Sequence, residues 1–205
     1  MVKSSMPVPA VPPQRAADRI RAMARELFYR QGIRAVGVDE IVNRAGVTKP
    51  SLYRSFASKD ELAAAYLQDY DREFWERFDD AVAARPGDPR AQLALFFEGV
   101  GTRAACPAYR GCGLTNAAVE YPEPDHPARL VAEANKRELR RRLREMAAQI
   151  GAPSPDTLGD GLHLLLEGAY VTGQLFGDGD GPAGALAEAA DRLIEASLTP
   201  RAPGR

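Results

Sequence analysis

The chain has 205 residues, 45% of them hydrophobic and 27% charged, the balance of a globular protein long enough for one or two buried cores. No apolar run approaches the roughly 18 residues of a membrane span, and two cysteines, Cys106 and Cys112, are too few for a disulfide framework. Net charge is −1, yet residues 1–59 hold 11 Lys and Arg against 4 Asp and Glu (+7), whereas residues 60–205 hold 16 against 24 (−8). A basic first segment on an acidic remainder is the charge pattern of a polyanion-binding head.

Residues 1–13 are Pro-rich, and they are expected to form a disordered arm rather than a secretory signal. With neither leader nor span in view, the expected location is cytoplasmic. From there the pattern is helical, with no strand alternation. A first helix is predicted over 14–31, where Ile20, Ala24, Leu27 and Phe28 make one apolar stripe and Gly32 offers a left-handed stop. A short second helix spans 38–45, with Val38, Ile41, Val42 and Ala45 at helical spacing, and Gly46 ends it. The third covers 49–56, capped by Thr48, with Pro50 in its first turn. The fourth starts at the capping box Ser58-Lys59-Asp60-Glu61 and continues to about 84. Five more follow between Gly/Pro breaks, at 89–102, 114–120, 126–150, 155–176 and 182–197, for about nine helices in an all-α fold.

The second and third helices, joined by the turn Ala45-Gly46-Val47-Thr48, make a helix-turn-helix. Gly46 permits a left-handed backbone, and Val47 plugs the angle between the helices. The third helix then presents Lys49, Ser51, Tyr53 and Arg54 outward, and a helix of this size fits the major groove. No nucleophile elbow, phosphate-cradling Gly loop or metal-ligand quartet is present in the sequence, so no enzyme, cofactor or metal is expected.

The stretch AMARELFYRQGIRAVGVDEIVNRAGVTKPSLYRSFASKDEL (22–62) closely resembles the N-terminal domain of the TetR family of bacterial regulators. AGVTKPSLY, Phe56 and SKDEL carry the resemblance, and RGCGLTNAAVEYPEPDHP and LLLEGAYVTGQ extend it more weakly into the second half. The resemblance implies a helix-turn-helix DNA-binding domain over 14–60 and a helical ligand-binding and dimerisation domain over 61–199. It implies a homodimer on a near-palindromic double-stranded operator, most simply a repressor released by an unidentified small-molecule effector, with no membrane partner. By position, Lys49, Pro50 and Ser51 are the implied base-edge contacts, and Tyr53 and Lys59 the implied phosphate contacts. Arg54 shares the exposed face, and Arg44 either steadies a phosphate or forms a local salt bridge. The chain departs from the family pattern twice. Gly37-Val38 stands where Ser or Thr is frequent, leaving backbone N–H groups near Val38 to serve, and Ser55 stands where His is frequent.

In the remainder, Tyr66, Tyr70, Phe74 and Phe78 recur every fourth residue, a stripe that reads as core packing or, at Phe74 and Phe78, as a cavity wall. Candidate polar groups for an effector are Asn116, His163, Glu167 and Gln174, with Tyr170 on the same helix face as His163 and Glu167. His163 and Glu167, four apart, read as a hydrogen-bonded pair. Cys106 and Cys112 leave two readings open, free thiols or a redox-responsive disulfide. In KRELRRRLRE (136–145) the arginines read as a solvated face, with Glu138 and Glu145 between them, behind Leu139, Leu143, Met146 and Ile150. Leu162, Leu165, Leu166, Ala169, Leu186, Ala190, Leu193 and Ile194 read either as core or as a four-helix dimer interface.

Overall fold

A computed structural model describes residues 15–176 and 181–199, so the arm at 1–13 and part of the 177–182 turn lie outside the described residues. Within them the chain forms nine α-helices and one 3₁₀ turn, with no strand. The helices are α1 (Ala16–Gln31), α2 (Val38–Ala45), α3 (Lys49–Ser55), α4 (Lys59–Ala83), α5 (Pro89–Ala104), α6 (Gly113–Glu120), α7 (Pro127–Gln149), α8 (Pro155–Leu175) and α9 (Leu186–Leu198). The last predicted helix begins as a 3₁₀ turn, Pro182–Ala185, before α9 takes over.

Local chemistry sets the boundaries. Helix α1 buries Ile20, Ala24, Leu27 and Phe28 on one face. Gly32 ends it at φ 89° and ψ 152°, an extended positive-φ conformation rather than the left-handed helical one predicted. Gly46 does adopt the left-handed conformation, φ 62° and ψ 38°, and its N–H closes on the carbonyls of Val42 and Asn43. Thr48 caps α3 by accepting from the Ser51 N–H. The helix stops one residue before the predicted end, because Phe56 turns extended and buries its ring. Ser58 caps α4 by accepting from the Glu61 N–H at 3.0 Å, while the Glu61 carboxylate accepts from the Ala57 N–H at 2.5 Å, one residue earlier than a capping box requires.

One continuous apolar core runs through the chain, with α4 in both of its parts. In the first part, Ile20, Ile33, Ile41 and Leu52 of the α1–α3 region join Leu62, all wholly buried or nearly so. In the second, Leu67 joins Phe97, Leu139, Leu143, Leu162 and Leu166 between α5, α7 and α8. Each such side chain contributes about 1.5–3 kcal/mol by leaving water. Leu162, Leu166, Ala169, Leu186, Ala190 and Ile194 are all buried within the single chain, so they belong to its core. The outward stripe of α8 is different: Leu164, Val171 and Leu175 are exposed, and Phe176 follows them.

Candidate nucleic-acid interface and effector cavity

Helix α3 follows α2 across the Gly46 turn and leaves one face in water. Tyr53 is 48% exposed, and Lys49, Pro50 and Arg54 are exposed with it; Ser51 and Ser55 are half-buried. Local bonds hold this face in order. Lys49 pairs with Asp39 of α2 at 2.8 Å, which raises the ammonium pKa. Arg54 donates to the Ser51 hydroxyl at 2.9 Å. The Ser55 hydroxyl donates to the Ser51 carbonyl at 3.1 Å and is tied to its own helix. Arg44 pairs with Glu40 at 2.8 Å, the local alternative given for it above. Lys59 is half-buried and donates to the Arg34 carbonyl at 3.2 Å; burial lowers its pKa. Val38 is half-buried at the start of α2, whose N-cap Gly37 supplies no side-chain acceptor to the first-turn N–H groups.

A cavity of about 490 Å³ lies between this segment and the rest of the chain. One wall is α1, through Ala22, Arg25 and Tyr29; the others are α4, the loop around Cys106–Tyr109, and Tyr170 of α8. Tyr29 holds the loop, since its hydroxyl accepts from the Arg110 N–H at 3.1 Å and donates to the Gly111 carbonyl at 3.2 Å. The rings of Tyr29 and Tyr70 stack with centroids 6.4 Å apart. Burial raises the pKa of Tyr66, Tyr70, Tyr109 and Tyr170 above the ordinary phenol value. They are therefore neutral hydroxyl donors at physiological pH. The hydroxyls of Tyr66 and Tyr170 are buried without a hydrogen-bond partner among the described residues. Both cysteines line the cavity as free thiols, Cys106 exposed and Cys112 buried.

Of the seven side chains expected to meet an effector, Phe74 and Tyr170 line this cavity. Phe78 lies one turn beyond Phe74, packed on Phe96 at 4.9 Å and on Trp75 at 5.6 Å. Asn116 and Gln174 line a separate cleft of about 370 Å³ against the α1–α2 turn. His163 and Glu167 sit in a polar cluster of their own. Glu167 pairs with Lys136 at 2.7 Å, accepts from the Thr115 hydroxyl at 2.8 Å, and lies 3.4 Å from His163. Burial pushes the Glu167 carboxyl up, but these partners outweigh it and bring it down to about 2. Lys136 therefore lies off the solvated face expected of the arginines in its run; its ammonium is also 3.6 Å from the Cys112 sulfur and 5.0 Å from the Tyr170 ring centre. Residues not anticipated at the cavity are Tyr29, Arg25, Arg77, Arg103 and Tyr109. They come from three separate segments, and only the tyrosine at 66 and 70 left a periodic signal.

The cavity wall connects to the helix-turn-helix through α6. That helix starts beside Cys112 and ends at Glu120, whose carboxylate accepts from the N–H groups of Ile33 and Arg34. Arg34 stands 5.0 Å over the Tyr121 ring, on which His126 stacks at 3.7 Å.

A helix-turn-helix with an exposed basic face, fused to a helical body with an open cavity between the two, defines the class of DNA-binding transcriptional regulators. The model of the bacterial regulatory proteins, tetR family, matches residues 20–66. The transcriptional regulator AcuR of Cereibacter sphaeroides is 31% identical over 158 residues, covering 73% of this chain and 72% of AcuR. The transcriptional activator FasR of Mycolicibacterium smegmatis is 56% identical over 45 residues, 22% of this chain and 20% of FasR. Among solved structures, a TetR-family regulator from Streptomyces coelicolor superposes with a TM-score of 0.80 at 32% identity, over 89% of this chain and 94% of that one. The chain belongs to the TetR family of transcriptional regulators. Membership in a family of regulators sets aside an enzymatic reading. Among the described residues no helix is long and apolar enough to cross a membrane.

Proposed function

We propose that this regulator is a repressor that binds a near-palindromic operator as a homodimer and is released by a small molecule bound in the 490 Å³ cavity. One observation carries the reading. The cavity takes a wall from α1, the first helix of the DNA-binding segment, so an occupant touches head and body at once. A ligand shifts an equilibrium only by its differential affinity for the two states, and a cavity shared by two moving parts supplies such a difference. Residues 14–60 act as the head and 61–199 as the sensing and dimerising body.

In this reading Lys49, Pro50 and Ser51 address base edges from the N-terminal end of α3. Tyr53, Arg54 and Lys59 meet phosphates, as do the N–H groups at Val38, while Arg44 and Ser55 support the face from behind. Half-sites about one helical turn apart are expected. Dimerisation is supported by the exposed Leu164, Val171 and Leu175, which recur along one face of α8 and suit an isologous contact. The direction of regulation is not carried by the head, since relatives that share it include both the activator FasR and the repressor BdcR of Escherichia coli.

A gel shift on DNA flanking its own gene tests the proposal. The wild-type chain should give a specific dimer-sized shift that Lys49→Ala with Tyr53→Ala abolishes. Transcription from that promoter should rise when the gene is deleted. Equal binding by the double variant, or a fall in transcription on deletion, refutes the reading.

A further inference from the structure

Charge in the cavity wall runs against the charge of the body around it. Residues 60–205 carry a net −8, yet their share of the cavity lining holds Arg77 and Arg103 against Glu73, net +1, and α1 of the basic segment adds Arg25 and Arg30 against Glu26. One carboxylate is taken and the other is only loosely paired. Glu73 is engaged by both guanidinium nitrogens of Arg25, and Glu26 lies 3.9 Å from Arg30. Arg77 reaches Glu73 only at 3.8 Å, and its Nε is buried with no hydrogen-bond partner among the described residues. Arg103 is poorer still in counter-charge. Burial depresses its pKa, and Arg77 depresses it further. Both arginines also border a shallower groove of about 250 Å³ that Asp80 shares.

Two adjacent, partly buried guanidiniums that repel one another are unfavourable in an empty site and favourable once an anion lies between them. Guanidinium forks match carboxylate geometry, with paired N–H donors. Beside Arg103 the buried hydroxyl of Tyr170 lacks a partner, and elsewhere in the lining that of Tyr66 does too; each can donate one hydrogen bond. The rest of the lining is flat and apolar: five of the seven tyrosines of the chain face the cavity, together with Phe74. Aromatic walls favour an aromatic body by offset or edge-on contact. The volume suits a single small molecule.

We infer that the effector is a small organic carboxylate with an aromatic body, its carboxylate held by Arg77 and Arg103 and its ring among the tyrosines. The inference rests on the ligand-release reading for its regulatory meaning, but the binding chemistry stands apart from it.

Calorimetry on the full-length protein tests it with benzoate, 4-hydroxybenzoate, phenylacetate and trans-cinnamate, each beside its neutral primary amide. At least one carboxylate should bind, and its amide at least tenfold more weakly. Arg103→Gln should erase that difference, and Arg103→Lys should keep part of it. Arg77→Gln should act the same way; if it does not fold, Arg103→Gln decides alone. Amides binding as tightly as acids, no acid binding at millimolar concentration, or full charge preference in Arg103→Gln would overturn the inference. Gel shifts with the same compounds separate the two readings. A neutral compound that fills the cavity and frees the operator leaves release intact and removes the carboxylate. An acid that binds through Arg103 without freeing the operator does the reverse.

Discussion

The carboxylate of Glu120 accepts the backbone N–H of Arg34 at 2.8 Å and, through its other oxygen, that of Ile33 at 3.1 Å. One side chain at the end of α6 thus clasps the turn between α1 and α2. Helix α6 is eight residues long, about 12 Å at 1.5 Å per residue, and its other end lies beside Cys112 in the cavity wall. A short helix pinned at both ends transmits displacement rather than absorbing it. Hydrogen bonds to a charged acceptor contribute about 1.5–3 kcal/mol when sheltered and less when partly exposed, as these are. Glu120→Ala should lower stability by about 1–2 kcal/mol and weaken the effect of a ligand on operator affinity, while Glu120→Gln keeps part of both. Thermal unfolding and operator titrations with and without ligand check this. Unchanged coupling in Glu120→Ala would remove α6 as the connection.

On the DNA face, Lys49 is shared with Asp39 in the free protein. Base-edge contact by Lys49 must compete with that pair, which is solvent-exposed and weak. Lys49→Ala should weaken binding to the operator more than to an unrelated duplex. Asp39→Asn should do the opposite, tightening binding to any duplex several-fold at low salt. Fluorescence anisotropy on both duplexes over a salt series distinguishes the two. An equal loss on operator and unrelated duplex in Lys49→Ala would move that ammonium from a base edge to phosphate.

Much of this molecule is legible before its coordinates. The α1–α3 boundaries follow from local signals, the Ile20–Leu27 stripe, the left-handed Gly46 and the Thr48 cap, each of which acts within a few residues. The cavity is not legible in that way. Arg103 and Tyr109 lie one and two turns of chain from anything that marks them, and Tyr29 sits on the same helix as the buried stripe yet points to a loop 82 residues on. Asn116 and His163 are polar residues on partly apolar helices, and spacing alone does not say whether they face a ligand or a neighbouring side chain. Here His163 faces Glu167, and Glu167 faces Lys136, an ammonium inside a run of arginines.

Exposed apolar side chains on a helix are an interface signal when they recur on one face. Leu164, Val171 and Leu175 do so on α8, with Leu164 73% and Leu175 71% exposed. Because none is in the core, charged substitution there should leave the fold of one subunit nearly unchanged. Leu164→Arg with Leu175→Arg should therefore give a monomer with near-wild-type helicity and lost operator binding. Sedimentation velocity, circular dichroism and gel shift read the three effects. A double variant that stays dimeric would move the interface elsewhere.

The Lys136–Glu167 pair gives the body a definite response to acid. Glu167 is brought down to about 2 from an ordinary 4.5, so the folded state binds its proton later than the unfolded chain does. Its contribution is therefore fully present above about pH 4.5 and lost as pH falls toward 2, on the order of 3 kcal/mol. Lys136 is raised by Cys112 and Glu167 in spite of burial, so its contribution is present at neutral pH and is lost only on the alkaline side of its ordinary 10.5. Glu167→Gln strands the Lys136 ammonium and should cost about 3 kcal/mol at pH 7. From pH 5 downward the gap between wild type and Glu167→Gln should narrow, closing only near pH 2, where protonation of the folded protein makes the two alike. Replacing both partners, Lys136→Met with Glu167→Leu, should recover most of the stability at pH 7. Urea unfolding at several pH values measures each step. A gap that stays constant down to pH 3 would mean that Glu167 carries no charge in the folded protein.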